Sequence, residues 1–290
     1  TGALKVGADY LRRLLPEAAV HISDPSWENH RALFESAGFR VENYPYYDAA
    51  TRGVNFAGMK ACLAGLPAGS IICHNPTGAD LSEAQWKEVV ESVRARGLVA
   101  FIDMAYQGFA DGIEPDALAL RLFAASGLQF FVSSSFSKSF SLYGERVGAL
   151  SIVTASKDES ARVMSQVKRV VRTNYSNPPT HGGAVVAAVL SSPDLRKLWE
   201  DELAGMRERI RAMRTGLVDK LKARGVAQDF SFVARQRGMF SYTGLTAEQV
   251  ERLKAEFGIY AVSTGRICLA ALNTHNLDYV ADAIAAVIRK

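Results

Sequence analysis

The chain has 290 residues, of which 48% are hydrophobic and 22% are charged, and this length fits one large domain or two ordinary ones. These values exclude a disordered or fibrous chain. The 34 Lys and Arg residues exceed the 30 Asp and Glu residues by only four, so we expect no nucleic-acid partner, although small anionic substrates are not excluded. No apolar run approaches the ~18 residues of a membrane span, so no membrane partner is expected either. The three cysteines lie far apart without metal-binding spacing, which predicts a cytoplasmic protein with no disulfide framework and no metal site.

Helical patterns and short apolar runs alternate over residues 1 to about 153. A first helix is predicted to end at Pro16, and its apolar face contains Leu4, Leu11, Leu14 and Leu15. Strands are predicted at residues 19–22, 69–73, 98–103, 128–133 and 148–153. Nearly all of these runs are continuously apolar, which is typical of strands covered on both faces. The pattern predicts an α/β fold with a mostly parallel sheet sandwiched by helices.

Two helix boundaries can be predicted from capping residues. Ser82 and Gln85 have the spacing of a capping box at the start of a helix that Gly97 ends. A second helix of about seven turns is predicted from Pro193 to Gly225 because apolar residues recur every three or four positions.

The pattern changes after this long helix. Short strands are predicted at 230–233, 238–242 and 266–269, and helices at 246–257 and 276–288. We therefore predict a large domain over residues 1–205 and a smaller α+β domain over residues 206–290.

A run of hydroxyl residues with one lysine follows the predicted strand at 128–133. Lys138 stands where ligands of open α/β sheets bind, and a lysine amine there can form a Schiff base. Ser135 and Arg146 could hold an anion beside it. The alternative without a ligand is that Lys138 is a solvated loop lysine and that Arg146 forms an ion pair on the surface.

An aspartate lies near the end of another apolar strand. Asp103 needs a partner when buried, and a protonated heterocycle nitrogen is one such partner. Tyr106, three residues later, could donate to an oxygen of the same ligand. The alternative is an aspartate that caps the following turn.

Further candidates follow other strands or lie beside turns. Pro76 favours an extended Asn75, whose amide then projects from the end of the strand. Trp27 could stack on a flat ring or pack in the core. The N–H groups at the start of the first helix, beside Thr1, suit an anion. Arg172 and Arg266 could each clamp a carboxylate or be ordinary surface arginines.

Taken together, these segments resemble the class I pyridoxal-phosphate aminotransferases of fold type I, in their aspartate/aromatic subgroup. The resemblance covers essentially the whole chain. The motifs that carry it are HNPTG at 74–78, IDMAYQGF at 102–109, SSSFSKSFSLYGERVG at 133–148, NYSNPP at 174–179 and RGMFSYTGL at 237–245. The last motif, with GRICLAALNT at 265–274 and TGADLSEAQW at 77–86, is most similar to the bacterial aromatic-amino-acid (tyrosine) aminotransferases.

The resemblance implies a site for pyridoxal 5'-phosphate (PLP). Lys138 would hold the cofactor covalently and serve as the catalytic base, and Asp103 would pair with the pyridine nitrogen. The other residues implied in cofactor binding are Asn75 and Tyr106 at the phenolic oxygen, Trp27 stacked on the ring, His30 behind Asp103, and Thr1, Ser135 and Arg146 at the phosphate.

The resemblance also implies a substrate site in a homodimer. Arg266 would clamp the α-carboxylate, Arg172 would come from the partner subunit, and Phe240 would form an apolar wall. Trp27 and Asn75 would border the substrate too. The expected reaction is ping-pong transfer of an amino group between Phe, Tyr or Trp, and also Asp, and 2-oxoglutarate.

Two alternatives stay open at this point. An aspartate aminotransferase would carry the same two arginines. The N-terminal part of the family chain is also expected to be missing before Thr1, so that this chain could be a non-catalytic fragment of the fold.

Overall fold

The computed structural model describes residues 1–75 and 80–289 of the chain. Eight strands are present in the first part of these residues. They are Ala19–Asp24 (β1), Arg40–Pro45 (β2), Tyr47–Asp48 (β3), Gly53–Val54 (β4), Ile71–His74 (β5), Val99–Met104 (β6), Phe130–Ser135 (β7) and Gly148–Val153 (β8). Two short strands, Phe240–Tyr242 (β9) and Arg266–Cys268 (β10), follow much later and pair with each other.

Helices fill most of the remaining described chain. They are Gly2–Leu14 (α1), Glu28–Ser36 (α2), Phe56–Gly65 (α3), Glu83–Arg96 (α4), Ile113–Asp116 (α5), Leu118–Ala125 (α6), Lys157–Tyr175 (α7), His181–Ser191 (α8), Pro193–Ala223 (α9), Ser231–Arg235 (α10), Ala247–Phe257 (α11) and Leu277–Ile288 (α12). Among these described residues, no helix combines the length and the apolar character needed to cross a membrane.

The predicted α/β sheet is confirmed. Its six strands have the spatial order β2-β1-β5-β6-β7-β8, and all neighbouring pairs are parallel except β7 with β8. One face packs against α3, α4 and α6, and the other packs against α1, α2 and α7. β1, β5, β6 and β7 are almost completely buried, as their continuous apolar runs predict. β8 differs, because its residues are exposed or half-buried at the edge of the sheet.

Both predictions of helix boundaries are confirmed. Ser82 and Gln85 form a reciprocal capping box at the start of α4, and Gly97 ends this helix in the left-handed conformation, with φ of 61°. The long helix α9 begins at Pro193 after the N-cap Ser192 and has 31 residues.

Three details of the sequence prediction are wrong. Residues 230–233 were expected to form a strand but lie at the start of α10, because the Asp229 carboxylate accepts hydrogen bonds from both the backbone and the hydroxyl of Ser231 and so favours a helical turn. Leu14 is 54% exposed, since it is the last residue of α1 and lines an open cleft with Pro16 instead of the core. The edge strand β2 was missed because only two of its six residues, Val41 and Tyr44, are buried, so it has no continuous apolar run.

A third apolar cluster involves α9 to α12 and is distinct from the two on the sheet. Its fully buried members include Leu217, Val233, Leu253 and Ala281. The helix α9 continues without a break across residues 205 and 206. The division of the chain into two domains at that point stays a prediction.

Candidate active site

Four neighbouring strands end at the same edge of the sheet. The parallel strands β1, β5, β6 and β7 end at Asp24, His74, Met104 and Ser135. Trp27, Asn75, Asp103 and Lys138 therefore lie together, although they are far apart in sequence. This edge is where open α/β folds bind ligands.

The carboxylate of Asp103 is at the centre of this edge and is only 7% exposed. Its Oδ2 accepts hydrogen bonds from Asn75 Nδ2 at 2.9 Å and from His30 Nε2 at 3.0 Å. Its Oδ1 accepts one from Ser133 Oγ at 2.6 Å. Burial alone would raise the pKa of Asp103, but the hydrogen bonds from His30 and Ser133 outweigh it and bring the pKa below its usual value. Asp103 is therefore ionised at neutral pH.

A short chain of hydrogen bonds supports Asp103 from behind. Nδ1 of His30 lies 2.8 Å from Ser26 Oγ, and the imidazole ring is fully buried, edge-on to the Trp27 indole at 5.2 Å between ring centres. A neutral imidazole with its proton on Nε2 satisfies both contacts, donating to Asp103 and accepting from Ser26. Neither Ser26 nor Ser133 is among the site residues predicted from the sequence.

Lys138 follows β7 in a loop that is attached to α9. Ser139 O accepts a hydrogen bond from Trp199 Nε1 at 2.6 Å, and Phe140 stacks on the Trp199 ring at 4.4 Å. Nζ of Lys138 lies 4.8 Å from the centre of the Tyr106 ring. Burial lowers the pKa of Lys138, and the attraction of Asp103 opposes this effect only in part. A lowered pKa increases the fraction of the neutral, nucleophilic amine at a given pH.

The rings of Tyr106 and Phe240 connect the lysine to Arg266. The two rings meet edge-on with 5.8 Å between their centres, and the guanidinium carbon of Arg266 lies 4.7 Å from the centre of the Phe240 ring. Burial raises the pKa of Tyr106 to about 12 although Arg266 acts against it, so its hydroxyl stays a hydrogen-bond donor.

Arg266 and Trp27 both line a cavity of about 360 Å³ beside this cluster. Nε of Arg266 is buried and finds no hydrogen-bond partner among residues 1–75 and 80–289. A buried guanidinium nitrogen without an acceptor is costly, and a carboxylate is the ligand that satisfies it best.

Three residues are expected to bind the phosphate, and they lie close to Lys138. The hydrogen bonds of Ser135 and Arg146 go to other residues of their own loop. Thr1 is the N-cap of α1. Arg146 has a positive φ of 55° and donates from Nη1 to Tyr143 O at 2.7 Å. Ser135 Oγ accepts a hydrogen bond from the Ser137 backbone at 3.3 Å.

Not every expected residue is brought to this edge. Arg172 lies exposed on α7 and contacts Ser176 Oγ, and the described contacts do not link it to the other candidates. Of the motif at 74–78, only His74 and Asn75 lie within the described residues. The amide of Asn75 is engaged with Asp103.

Comparisons with known proteins show the family of the chain. The sequence profile of the family "Aminotransferase class I and II" matches residues 1–284. An aspartate aminotransferase of Pseudomonas aeruginosa is 69% identical over 99% of this chain and 74% of its own length. An aromatic-amino-acid aminotransferase of Escherichia coli is 53% identical over the same shares.

A solved structure agrees with both relatives. The aromatic-amino-acid aminotransferase of Burkholderia pseudomallei, covalently bound to pyridoxal phosphate, is 70% identical and superposes with a TM-score of 0.97 over 99% of this chain and 73% of its own. The fold and the site thus define a PLP-dependent transferase of fold type I. More closely, the chain belongs to the class I and II aminotransferases, in the aspartate/aromatic subgroup, and its reaction class is PLP-dependent transamination.

Proposed function

We propose that this aminotransferase exchanges the amino group of Phe, Tyr or Trp, and also of Asp, with 2-oxoglutarate by a ping-pong mechanism. The observation that carries the proposal is the contact of Phe240 with both Tyr106 and Arg266. An aromatic ring beside a carboxylate clamp gives a substrate both an anion site and an apolar wall. Relatives with aromatic-amino-acid and with aspartate activity in their names support both substrate classes.

The residues at the sheet edge fit PLP. Asp103 is a buried anion whose Oδ1 accepts one hydrogen bond from the described residues, which leaves an acceptor position for a ring N–H. The Lys138 amine lies within reach of the same space, and Tyr106 can donate to an oxygen there. Trp27 would cover the ring, and Asn75 would turn toward the ring's phenolic oxygen. When bound, the cofactor supplies an electron sink for the carbanion at the substrate Cα.

We assign the phosphate to the start of α1. The free N–H groups of this 13-residue helix and its dipole favour an anion near Thr1. Ser135 and Arg146 would complete the cradle, with the guanidinium of Arg146 as its bidentate donor.

The amino group of Lys138 would move the proton. Because its pKa is lowered, the amine would take a proton from the substrate Cα and deliver it to a carbon of the cofactor. Asp103 would keep the ring nitrogen protonated throughout, because its own pKa is low and His30 holds it in place.

We propose that two chains form the complete substrate site. Arg266 would bind the α-carboxylate and the partner's Arg172 the second carboxylate of a dicarboxylic substrate. Apolar side chains exposed on α7, α8 and the start of α9 support this homodimer. They are Met164, Tyr175, Leu190, Leu195 and Leu198. Sedimentation velocity on the purified chain would give a single species of twice the 31.5 kDa chain mass, whereas a monomer at micromolar concentration would contradict the proposal.

The division into domains at 205/206 and a cytoplasmic location are also proposals. The separate apolar cluster of α9 to α12 supports the former, and limited proteolysis that releases a stable C-terminal piece would test it. Three free cysteines, two half-buried and one buried, support a reducing compartment.

The first experiment is the visible absorption of the purified chain with PLP, before and after addition of phenylalanine. A band that forms and then bleaches with phenylalanine supports the proposed reaction. Repetition with aspartate ranks the substrates: bleaching much faster with aspartate would favour an aspartate aminotransferase. A band that ignores every amino acid would favour a non-catalytic fragment.

A further inference from the structure

Ser133 makes the shortest of the three hydrogen bonds to Asp103. The two residues are direct cross-strand partners in the register of β6 and β7, so the contact is built into the sheet. Ser133 is 3% exposed, and its Oγ lies 2.6 Å from Asp103 Oδ1. The other two donors, His30 and Asn75, both bind Oδ2.

The distribution of donors over the two oxygens has a geometric consequence. Each carboxylate oxygen offers about two acceptor positions. His30 and Asn75 fill those of Oδ2, and Ser133 takes one of the two on Oδ1. Among the hydrogen bonds of the described residues, a single position on Oδ1 is left, on the oxygen that Ser133 holds directly.

We propose that Ser133 is a positioning residue, which fixes the carboxylate plane of Asp103 so that the remaining acceptor position of Oδ1 receives the N–H of the cofactor's ring. The proposal rests on the proposed pairing of Asp103 with that nitrogen. The terminal torsion of an aspartate is broad, and donors on Oδ2 alone leave the carboxylate some freedom to turn about it. A donor on Oδ1 removes that freedom before the cofactor arrives.

The same hydrogen bond helps to keep Asp103 charged in a buried place. A hydrogen bond to the ionised form of a carboxyl stabilises that form. Other ionisable groups also face this carboxylate and must stay unchanged in a test. They are His30, Cys73, Tyr106 and Lys138.

The test compares the affinity of the purified chain for PLP with that for its 1-deaza analogue, in which a C–H replaces the ring nitrogen. The ratio of the two dissociation constants reports the contact between the ring nitrogen and Asp103. In Ser133→Ala we expect the preference for PLP to fall on the order of tenfold, the size of one hydrogen bond to a charged group. A merely structural role would weaken both ligands equally and leave the ratio unchanged.

Matched variants separate the hydroxyl from packing. Ser133→Thr keeps the hydroxyl and should keep the preference for PLP. Ser133→Val has the shape of threonine without the hydroxyl and should lose the preference. Ser241 is a fully buried serine whose hydroxyl finds no partner in the described part of the chain, and Ser241→Ala should leave the ratio unchanged.

The outcomes distinguish this proposal from the proposed function. A wild-type preference that persists in Ser133→Ala and Ser133→Val overturns the role of Ser133 and leaves the cofactor assignment intact. A wild-type chain that binds both ligands equally overturns the pairing of Asp103 with the ring nitrogen, and the role of Ser133 with it. A second readout is the pKa of the Asp103 carboxyl by ¹³C NMR without cofactor, which must rise in Ser133→Ala.

Discussion

The guanidinium group of Arg266 lies over the ring of Phe240, with 4.7 Å between the guanidinium carbon and the ring centre. The contact follows from the pairing of β9 with β10, in which Phe240 opposes Cys268 and Arg266 opposes Tyr242. The planar guanidinium is thereby held in one orientation. A substrate carboxylate therefore meets a guanidinium group whose orientation is already set.

Substitution of Arg266 by lysine keeps the positive charge but removes the planar guanidinium group, and it should weaken substrate binding. In Arg266→Lys we expect kcat/KM to fall roughly 100-fold for both Phe and Asp, because the bidentate hydrogen bonds and the stacking on Phe240 are lost. Most of the loss should appear in KM. Steady-state kinetics with both substrates measures it, and Arg196→Lys on the exposed start of α9 is the control. Unchanged KM values would remove Arg266 from the substrate site.

Arg172 should affect only one class of substrate. Its side chain is exposed and unconnected to the other site residues in the described contacts of a single chain, as expected of a residue that acts in the partner's site. In Arg172→Leu we expect kcat/KM for Asp to fall about 100-fold, whereas that for Phe changes less than about threefold, because an aromatic side chain offers no second carboxylate. Equal losses for the two substrates would contradict the assignment.

Lys138 should be indispensable for turnover. The variant Lys138→Ala loses both the covalent attachment of the cofactor and the proposed base, so we expect kcat to fall by about 10⁴-fold or more. Lys87→Ala, which removes an exposed lysine of α4 that pairs with Glu83, is the matched control. Normal turnover in Lys138→Ala would disprove the assignment of the site.

Much of this site could be predicted from the sequence because its residues follow apolar runs. Continuous runs identify buried parallel strands, and parallel strands end at a common edge, which agrees with the common site that the resemblance implies for Asp103 and Lys138. The contact of Ser133 with Asp103 could not be predicted, since it depends on the register of β6 with β7. Hydrophobic runs indicate that strands exist but not how far one is shifted along the next.

The fold was hardest to predict where burial is partial or turn chemistry is local. β2 has only two buried residues, three positions apart, and residues 230–233 carry strand-forming side chains within a helical turn started by Asp229. In both places a local effect outweighs the apolar pattern. The proximity of Arg266 to Phe240 likewise arises from a pairing between distant strands, in which Arg266 opposes Tyr242, 24 residues earlier in the sequence.

A buried histidine at the end of β5 should make the protein sensitive to mild acid. His74 is 4% exposed, it packs against Trp86 with 4.7 Å between ring centres, and its Nδ1 lies 2.9 Å from the Tyr44 hydroxyl. Burial lowers the pKa of His74 to about 3, below the usual value of 6.5. The unfolded chain therefore binds a proton at this histidine between about pH 6.5 and pH 3, and the folded chain does not. Stability falls as the pH decreases through this window.

We expect the free energy of unfolding to decrease by up to about 1.4 kcal/mol for each pH unit below 6 through this one group. In His74→Phe this contribution disappears. From pH 7 to pH 5 the wild type should therefore lose more of its free energy of unfolding than the variant does. Urea unfolding at the two pH values measures it, and the other titrating groups cancel in the comparison. A difference that is the same at both pH values would show that His74 takes up a proton as readily in the folded chain as in the unfolded chain.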